Sequence, residues 1–182
     1  MNRGSSADSR YGQRSMLIIF GGLPGAGKTT IARELARQIG AVHLRIDTVE
    51  QAIRASGVAI QPFNDAGYRV AYAVAEDNLR IGRTVIADSV NPVQVSRDAW
   101  VEVANVARVT AVEIEVKCSD ANEHRRRVEA RTADIPGLKL PTWQEVVSRE
   151  YDPWDREHLV IETAGRTVAQ NVNLLREILD GG

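Results

Sequence analysis

The feature of the sequence that most restricts its fold is a glycine-rich octapeptide between an apolar run and a helical pattern. The apolar run covers residues 16–20, the helical pattern covers 32–39, and the octapeptide reads Gly22-Leu23-Pro24-Gly25-Ala26-Gly27-Lys28-Thr29. Its spacing fits G-x-x-x-x-G-K-[ST], the pattern of a loop that wraps phosphate groups. Glycines suit such a loop because the absence of Cβ atoms lets successive backbone amides approach phosphate oxygens closely. The octapeptide therefore predicts a strand–loop–helix unit that binds a nucleoside triphosphate.

Two side chains of this phosphate loop (residues 22–29) have separate predicted roles. Lys28 is expected to bridge the β- and γ-phosphates, and the Thr29 hydroxyl is expected to ligate Mg²⁺. The start of the following helix, which includes Thr30, adds further unpaired amides and the positive end of the helix dipole to the predicted phosphate site. The sequence thus predicts ATP and Mg²⁺ as cofactors. The alternative, a glycine-rich turn that holds no ligand, is disfavoured by the register of strand, loop and helix.

Beyond the octapeptide, short apolar or β-branched runs alternate with longer helical patterns. The runs predict strands at 16–20, 42–46, 84–87, 109–117 and 158–162. Such alternation is typical of a parallel sheet that is covered by helices. The expected fold class is therefore α/β.

Helix boundaries are marked by glycines and by capping pairs. Gly40 and Gly82 stand where C-terminal caps are expected. Five residue pairs have the spacing of a capping box, and Pro92 is placed as a first-turn proline. The pairs are Asp47/Glu50, Asn91/Gln94, Asp120/Glu123, Thr142/Glu145 and Thr167/Gln170.

Composition restricts the kind of protein and its partners. With 182 residues, 43% of them hydrophobic, the chain is long enough for one domain with a substantial core. The net charge of -1 gives no overall electrostatic reason to expect nucleic acid or an anionic membrane as a partner. Cys118 is the single cysteine, so no intramolecular disulfide can form, and no long apolar span is present. We therefore expect a cytoplasmic protein.

Two segments differ from the regular pattern. Residues 1–15 are polar and without periodicity, which predicts a disordered leader before one domain at 16–182. Residues 132–141 contain Pro136, Gly137 and Pro141 and interrupt the helical patterns around them. This second segment is expected to form a mobile flap.

These motifs resemble those of the small-molecule P-loop kinases, which include gluconate kinase, shikimate kinase, adenylylsulfate kinase, chloramphenicol phosphotransferase and the zeta toxins. The resemblance covers residues 16–180. It rests on Gly22 to Thr30, on Asp47 after the second strand, on Asp88 after the third, and on an arginine-rich segment before the last. It implies a three-layer fold with a five-stranded parallel sheet of order 2-3-1-4-5 and a helical lid, and again ATP with Mg²⁺.

Asp47 is the first candidate on the acceptor side. It ends the second strand, at the edge where parallel sheets bind ligands. In the resembling kinases an acidic residue here contacts the acceptor hydroxyl, which implies that Asp47 orients the substrate and accepts its proton. The alternative is a structural helix cap, because Asp47 and Glu50 have capping-box spacing.

Three further residues follow the third strand. Asp88 closes the hydrophobic run at 84–87 in the manner of a Walker B element, so it would hold Mg²⁺ through water, unless it is an ordinary acid at a strand end. Asn91 and Arg97 resemble a segment of adenylylsulfate kinase that meets the acceptor, and both are candidate substrate contacts. A helix cap would also explain Asn91, and an exposed salt bridge would also explain Arg97.

The arginine-rich segment at 120–131 is the candidate lid. At helical spacing His124, Arg127 and Arg131 share one face. Guanidinium groups that arrive on closure would neutralise charge on the transferred phosphoryl group. The spacing of Arg127 and Arg131 also resembles the lid of gluconate kinase, so we expect both to be catalytic and Arg127 also to bind the nucleotide. The expected lid covers about residues 120–151; the alternative is a solvated basic helix or a nucleic-acid patch.

Together these observations predict a kinase that transfers the γ-phosphoryl group of ATP to a hydroxyl of a small-molecule acceptor. Its catalytic residues would be Lys28, Asp47, Arg127 and Arg131. One alternative is a polynucleotide 5′-hydroxyl kinase or a zeta-type sugar-nucleotide kinase, although the balanced charge disfavours a nucleic-acid substrate. The other is an ATP-dependent switch that binds a partner without phosphorylating a metabolite.

Overall fold

The computed structural model describes residues 15–58 and 65–181. The predicted leader therefore lies, apart from Ser15, outside the described residues. Five strands are present in these described residues, and their ends differ from the predicted ones by no more than one residue. They are β1 (Met16–Gly21), β2 (Val42–Arg45), β3 (Val85–Asp88), β4 (Thr110–Lys117) and β5 (Leu159–Glu162).

All strand pairs in the sheet are parallel, and their order is β2-β3-β1-β4-β5. This confirms the expected fold class and strand order. Strand β1 is central, and its Ile18 pairs with Ile86 of β3 and Val112 of β4. Residues 17–20 are fully buried, which explains why β1 is a continuous apolar run rather than an alternating one.

Seven helices accompany the sheet in the described parts of the chain. They are α1 (Lys28–Ile39), α2 (Ile46–Ala55), α3 (Ala66–Arg80), α4 (Gln94–Ala107), α5 (Ala121–Glu129), α6 (Trp143–Val147) and α7 (Val168–Asp180). None of these helices has both the length and the apolar character that crossing a membrane requires.

The core has two halves, one on each face of the sheet. On one face Ile18 and Phe20 pack with buried residues of α1 and α7. On the other face Leu17 and Ile19 pack with buried residues of α3 and α4, including the fully buried Trp100. Because burying each large apolar side chain stabilises the fold by about 1.5–3 kcal/mol, these two halves fix the three layers. The sheet then presents the carboxyl ends of its strands to a common edge.

Three of the predicted helix ends are present as expected. Gly40 caps α1 in the left-handed conformation, with φ 69°. Thr142 and Thr167 form complete capping boxes with Glu145 and Gln170, respectively. The Asp120 carboxylate accepts from two amides at the start of α5, but Glu123 bonds elsewhere, so this pair is only half of a box.

The other two predicted capping boxes are wrong. Helix α2 begins one residue before Asp47, after Arg45, and has no side-chain cap. Helix α4 begins at Gln94, whose amide donates to Oδ2 of Asp152 at 3.0 Å. A carboxylate 58 residues away in the sequence supplies this cap, so local spacing could not reveal it.

Candidate active site

The phosphate loop runs from β1 to α1 in a conformation that only glycine accepts easily. Gly22, Gly25 and Gly27 have φ values of 130°, 82° and 105°. A Cβ atom on Gly22 would lie 2.2 Å from the Val116 carbonyl oxygen, and one on Gly25 would lie 2.5 Å from a methyl group of Val128. Backbone strain and close packing thus both require the glycines that the motif contains.

The loop leaves a set of backbone amides without protein acceptors. In residues 15–58 and 65–181, no acceptor pairs with the amides of Gly25, Gly27, Lys28, Thr29 and Thr30. Such a run of donors at the start of a helix is suited to an anion, because the helix dipole adds positive potential at the same place. The residues present therefore fit a polyphosphate.

Three side chains hold the loop through its carbonyl groups, Lys28 from within the loop and His124 and Thr163 from outside it. Lys28 Nζ donates to the Leu23 carbonyl at 2.9 Å, and His124 Nε2 donates to the Pro24 carbonyl at 2.8 Å. The Thr163 hydroxyl lies 2.9 Å from the carbonyl of Ala26. Sequence analysis did not assign His124 or Thr163 to the loop, since both are more than 90 residues away from it in the sequence.

Lys28 is a buried cation that lacks sufficient negative charge nearby. Desolvation lowers its pKa from 10.5 to about 8, although the charges of Asp88 and Asp47 act in the opposite direction. The cations Arg131 and Arg149 lower the pKa of Lys28 further. A polyanion would relieve this imbalance, which agrees with the free amides of the loop.

The loop opens into a cleft of about 1130 Å³. The structure brings ten of the predicted site residues to its walls: Pro24, Gly25, Gly27, Lys28, Thr29, Thr30, Asp47, Asp88, Arg127 and Arg131. Gly22, Leu23 and Ala26 instead line a separate cavity of about 560 Å³ on the other side of the loop. Tyr68 and Tyr72 contribute to the cleft wall and also pack against the core.

Two carboxylates, those of Asp47 and Asp88, line the cleft. Asp47, in the first turn of α2, has a side chain that is 43% exposed and accepts from Arg45 Nη2 at 3.2 Å. Asp88, at the end of β3, is buried, and its Oδ2 accepts from His43 Nε2 at 3.2 Å. Asp88 and the Thr29 hydroxyl are hard oxygen donors on the walls of one cleft, a donor set that fits Mg²⁺.

The two predicted clamp arginines occupy different positions. Arg127 is half-buried in α5 and donates to the hydroxyl and carbonyl of Thr163 at 2.8 and 2.9 Å; it also pairs with Glu123. Arg131 lies beyond the C-cap of α5. The observed helix is therefore shorter than the arginine spacing predicted. Apart from its charge effect on Lys28, the Arg131 side chain has no partner in the described residues.

The predicted substrate contacts Asn91 and Arg97 require a correction, because neither lines the cleft. Asn91 is fully buried, and its side chain donates to the Phe20 carbonyl at 2.8 Å. Arg97 is also fully buried. It donates to four backbone carbonyls, those of Asn91, Pro92, Asp152 and Pro153, at 2.7–3.2 Å. The structure thus gives both side chains internal partners.

The cleft also contains two cations to which sequence analysis gave no role. Lys139 and Arg149 line it. Of the two, only Arg149 lowers the pKa of Lys28. Neither belongs to a motif, so their sequence positions gave no indication of this placement.

Comparison with known proteins agrees with this geometry. Residues 17–148 match the family model AAA_33, which describes an AAA domain. A probable adenylyl-sulfate kinase of Aeropyrum pernix is 24% identical over 177 residues, which is 92% of this chain and 93% of that protein.

Two solved structures have a similar fold. A putative kinase from Chloroflexus aurantiacus has a TM-score of 0.72 at 20% identity, over 93% of this chain and 98% of that one. The APS kinase CysC of Mycobacterium tuberculosis, solved in complex with AMPPNP and APS, has a TM-score of 0.70 at 18% identity, over 92% and 99% of the two chains. Since the family model spans well over half of the sequence, the protein belongs to the AAA_33 family of AAA domains and has the architecture of a P-loop kinase.

Proposed function

We propose that the protein is an ATP-dependent kinase that transfers the γ-phosphoryl group to a hydroxyl of a small-molecule acceptor. The observation that carries this proposal is the placement of two opposed chemistries in one cleft. Its walls contain unpaired amides and the buried Lys28, and also the exposed carboxylate of Asp47. The amides and Lys28 suit a triphosphate, and the carboxylate suits a hydroxyl that must lose its proton.

Each group would have a separate task. The amides of the phosphate loop and Lys28 bind and orient the triphosphate, and Thr29 with Asp88 would hold Mg²⁺. Bound Mg²⁺ neutralises charge on the phosphate oxygens. Arg127 and Arg131 approach the same oxygens from the lid segment (residues 120–151), and Asp47 accepts the proton of the acceptor hydroxyl. Catalysis then depends on positioning and electrostatics, as in other phosphoryl transfers.

The similar proteins suggest which acceptors to test first. The curated relative is named a probable adenylyl-sulfate kinase, and the CysC structure contains APS. Adenylyl sulfate is therefore the first acceptor to test, followed by sugars, sugar acids, nucleosides, aminoglycosides and oligonucleotides.

The test is an ATP-consumption screen of the native chain against these acceptors. Lys28→Ala should abolish turnover on every acceptor. Asp47→Ala should keep the affinity for ATP and lower transfer to the true acceptor about 10²–10⁴-fold, the usual contribution of a positioned base. Asp77→Ala is the matched control, because Asp77 is an exposed acid of α3 outside the cleft.

Two results would contradict the proposal in different ways. Normal transfer by Asp47→Ala would remove the role of Asp47 as base and leave the kinase activity standing. ATP hydrolysis that no small acceptor stimulates, but that a protein partner does, would instead favour the switch.

A further inference from the structure

Arg45 is a charged side chain in an unusually buried position beside the candidate site. It is the last residue of β2, and its side chain is only 5% exposed. Its Nη1 donates to both carboxylate oxygens of Asp134, at 3.0 and 2.8 Å, and its Nη2 donates to Asp47 at 3.2 Å. Its Nε is buried without a hydrogen-bond partner. One guanidinium group therefore joins two carboxylates from different parts of the chain.

Asp134 belongs to the lid segment, between α5 and α6. Its carboxylate also accepts from Arg33 Nη2 of α1 at 2.9 Å. Hydrogen bonds from Arg33 and Arg45 lower the pKa of Asp134 to about 2 despite partial burial, so this group is ionised above that pH. The lid segment is thus joined to β2 by a charged contact at Arg45 and to α1 by a second contact at Arg33.

These two contacts differ in strength. The Arg33 side chain is 60% exposed, and exposed ion pairs contribute little. Arg45 is buried, so separating it from Asp134 would leave its charge with Asp47 as its one remaining ion-pair partner in the described residues. Removing one partner of a buried cation is costly. Arg45 would then draw Asp47 toward itself.

We propose that Arg45 couples the lid segment to Asp47. With Asp134 in place, Arg45 uses Nη1 for the lid and only Nη2 for Asp47, whose carboxylate then remains available to the cleft. When Asp134 departs, both nitrogens can turn to Asp47, which is then neutralised and withdrawn from the acceptor. Arg45 is a positioning residue in this arrangement, and its catalytic consequence rests on the proposed role of Asp47 as the acceptor base.

Coupling between two sites is reciprocal, which provides a test that needs no acceptor. If opening of the lid segment is compensated by stronger pairing between Arg45 and Asp47, then removing the Asp47 charge makes opening more costly. Asp47→Asn should therefore slow tryptic cleavage after Arg131 and Lys139 by about fivefold or more. Cleavage under native conditions reports the population of the open form when closing is faster than cutting.

Matched variants separate this effect from simple loosening. Asp134→Asn should accelerate cleavage at the same two bonds, and Asp134→Glu should restore much of the protection. Glu50→Gln should have no effect, because Glu50 lies one turn after Asp47 and pairs with Arg54 instead. Fragments identified by mass spectrometry would assign each cleavage to its bond. An unchanged cleavage rate in Asp47→Asn would overturn the coupling.

Transfer kinetics provide the second readout. Asp134→Asn should lower kcat about tenfold or more and leave the affinity for ATP within about threefold, whereas Arg33→Gln should change kcat less than about twofold. In an Asp47→Asn background, Asp134→Asn should lower kcat no further. If the two substitutions instead lowered kcat independently, so that their separate factors multiplied in the double variant, the inference would be rejected. Normal transfer by Asp47→Asn would instead reject the proposed role of Asp47 as the acceptor base, while the cleavage result would still decide the coupling.

Discussion

At the scale of single residues, the cleft is built around a lysine whose charge the protein itself does not fully balance. Burial has the largest effect on the pKa of Lys28 and lowers it, and the opposing charges of Asp88 and Asp47 do not restore its ordinary value. A triphosphate that contacts Lys28 would favour its charged form and raise this pKa again. Nucleotide binding and the protonation of Lys28 are therefore linked.

This linkage predicts how the affinity for ATP depends on pH. Below about pH 8 Lys28 is charged before and after binding, so the affinity should be constant in that range. Above pH 8 binding must take up a proton, so the affinity should fall by up to about tenfold for each pH unit. Titration with a fluorescent ATP analogue between pH 6.5 and 9.5 would measure this slope. Lys28→Met should bind more weakly and without the slope, and a constant affinity up to pH 9.5 in the native chain would contradict the prediction.

Gly22 provides a second prediction at this scale. In Gly22→Ala the new methyl group would meet the Val116 carbonyl oxygen at 2.2 Å, on a backbone with φ 130°. Clash and backbone strain together should destabilise the fold by about 3 kcal/mol or more, which is a fall in Tm of roughly 6–12 °C.

Gly40→Ala is the control for this substitution. It also has positive φ, 69°, but no atom lies within 4 Å of the added Cβ, so it should cost only about 1 kcal/mol. Thermal melts of both variants would check the difference. Equal values of Tm would show that the contact with Val116 is easily relieved.

The site residues that could be predicted from the sequence are those that belong to a local motif of adjacent positions. The phosphate loop is the clearest case, because strand, glycines, lysine and helix follow one another. Arg45, His124 and Asp134 could not be predicted in this way, since their partners are defined by the packed fold rather than by spacing. Arg97 shows the converse. Its resemblance to a segment of adenylylsulfate kinase suggested a substrate contact, but its buried guanidinium group donates to four backbone carbonyls of the protein itself.

At the scale of elements, the segment between α6 and β5 depends on Arg97. Residues 151–154 cross the start of α4, where Arg97 donates to the carbonyls of Asp152 and Pro153 and lies 4.4 Å from the ring of Trp154. The Asp152 carboxylate in turn caps α4 at Gln94. Helix α4 and residues 151–154 therefore supply hydrogen-bond partners to each other that lie more than 50 positions away in the sequence.

Replacing Arg97 should accordingly detach this segment. Arg97→Met removes the donor from four carbonyls, so we expect a loss of about 3 kcal/mol or more in the free energy of unfolding. Arg80→Met is the control, because Arg80 is exposed and makes an i,i+4 ion pair with Glu76, which contributes about 0.3–0.5 kcal/mol. Urea denaturation of both variants would measure the difference. The prediction would be wrong if the two losses were equal.

Element boundaries were predictable where the signal was local. The capping boxes at Thr142 and Thr167 contain all of their partners within four residues, and both are present. The pairs at Asp47 and Asn91 have the same spacing, but stronger contacts compete for them. Asp47 pairs with Arg45, and Asn91 bonds to the carbonyl of Phe20 with φ 47°. Spacing alone could not show which contact is stronger.

At the scale of the whole molecule, the alternating pattern predicts the layers, and the resemblance to P-loop kinases implies the strand order. Helices cover both faces of β1. Its central position, between β3 and β4, brings the phosphate loop, Asp47 and Asp88 to one edge of the sheet. The identity of the proposed acceptor could not be predicted. The cleft wall that we propose for it is formed by α2, α3 and the start of α4, whose side chains follow no motif.

The way the phosphate loop is held has an evolutionary consequence. Its carbonyls at positions 24 and 26 depend on side chains at positions 124 and 163, which come from different elements. A homologue that loses the histidine must find another donor for the same oxygen or tolerate a loosened loop. In an alignment of descendants from a common ancestor, positions 124 and 163 should therefore change together with the loop that they support, far from any recognised motif.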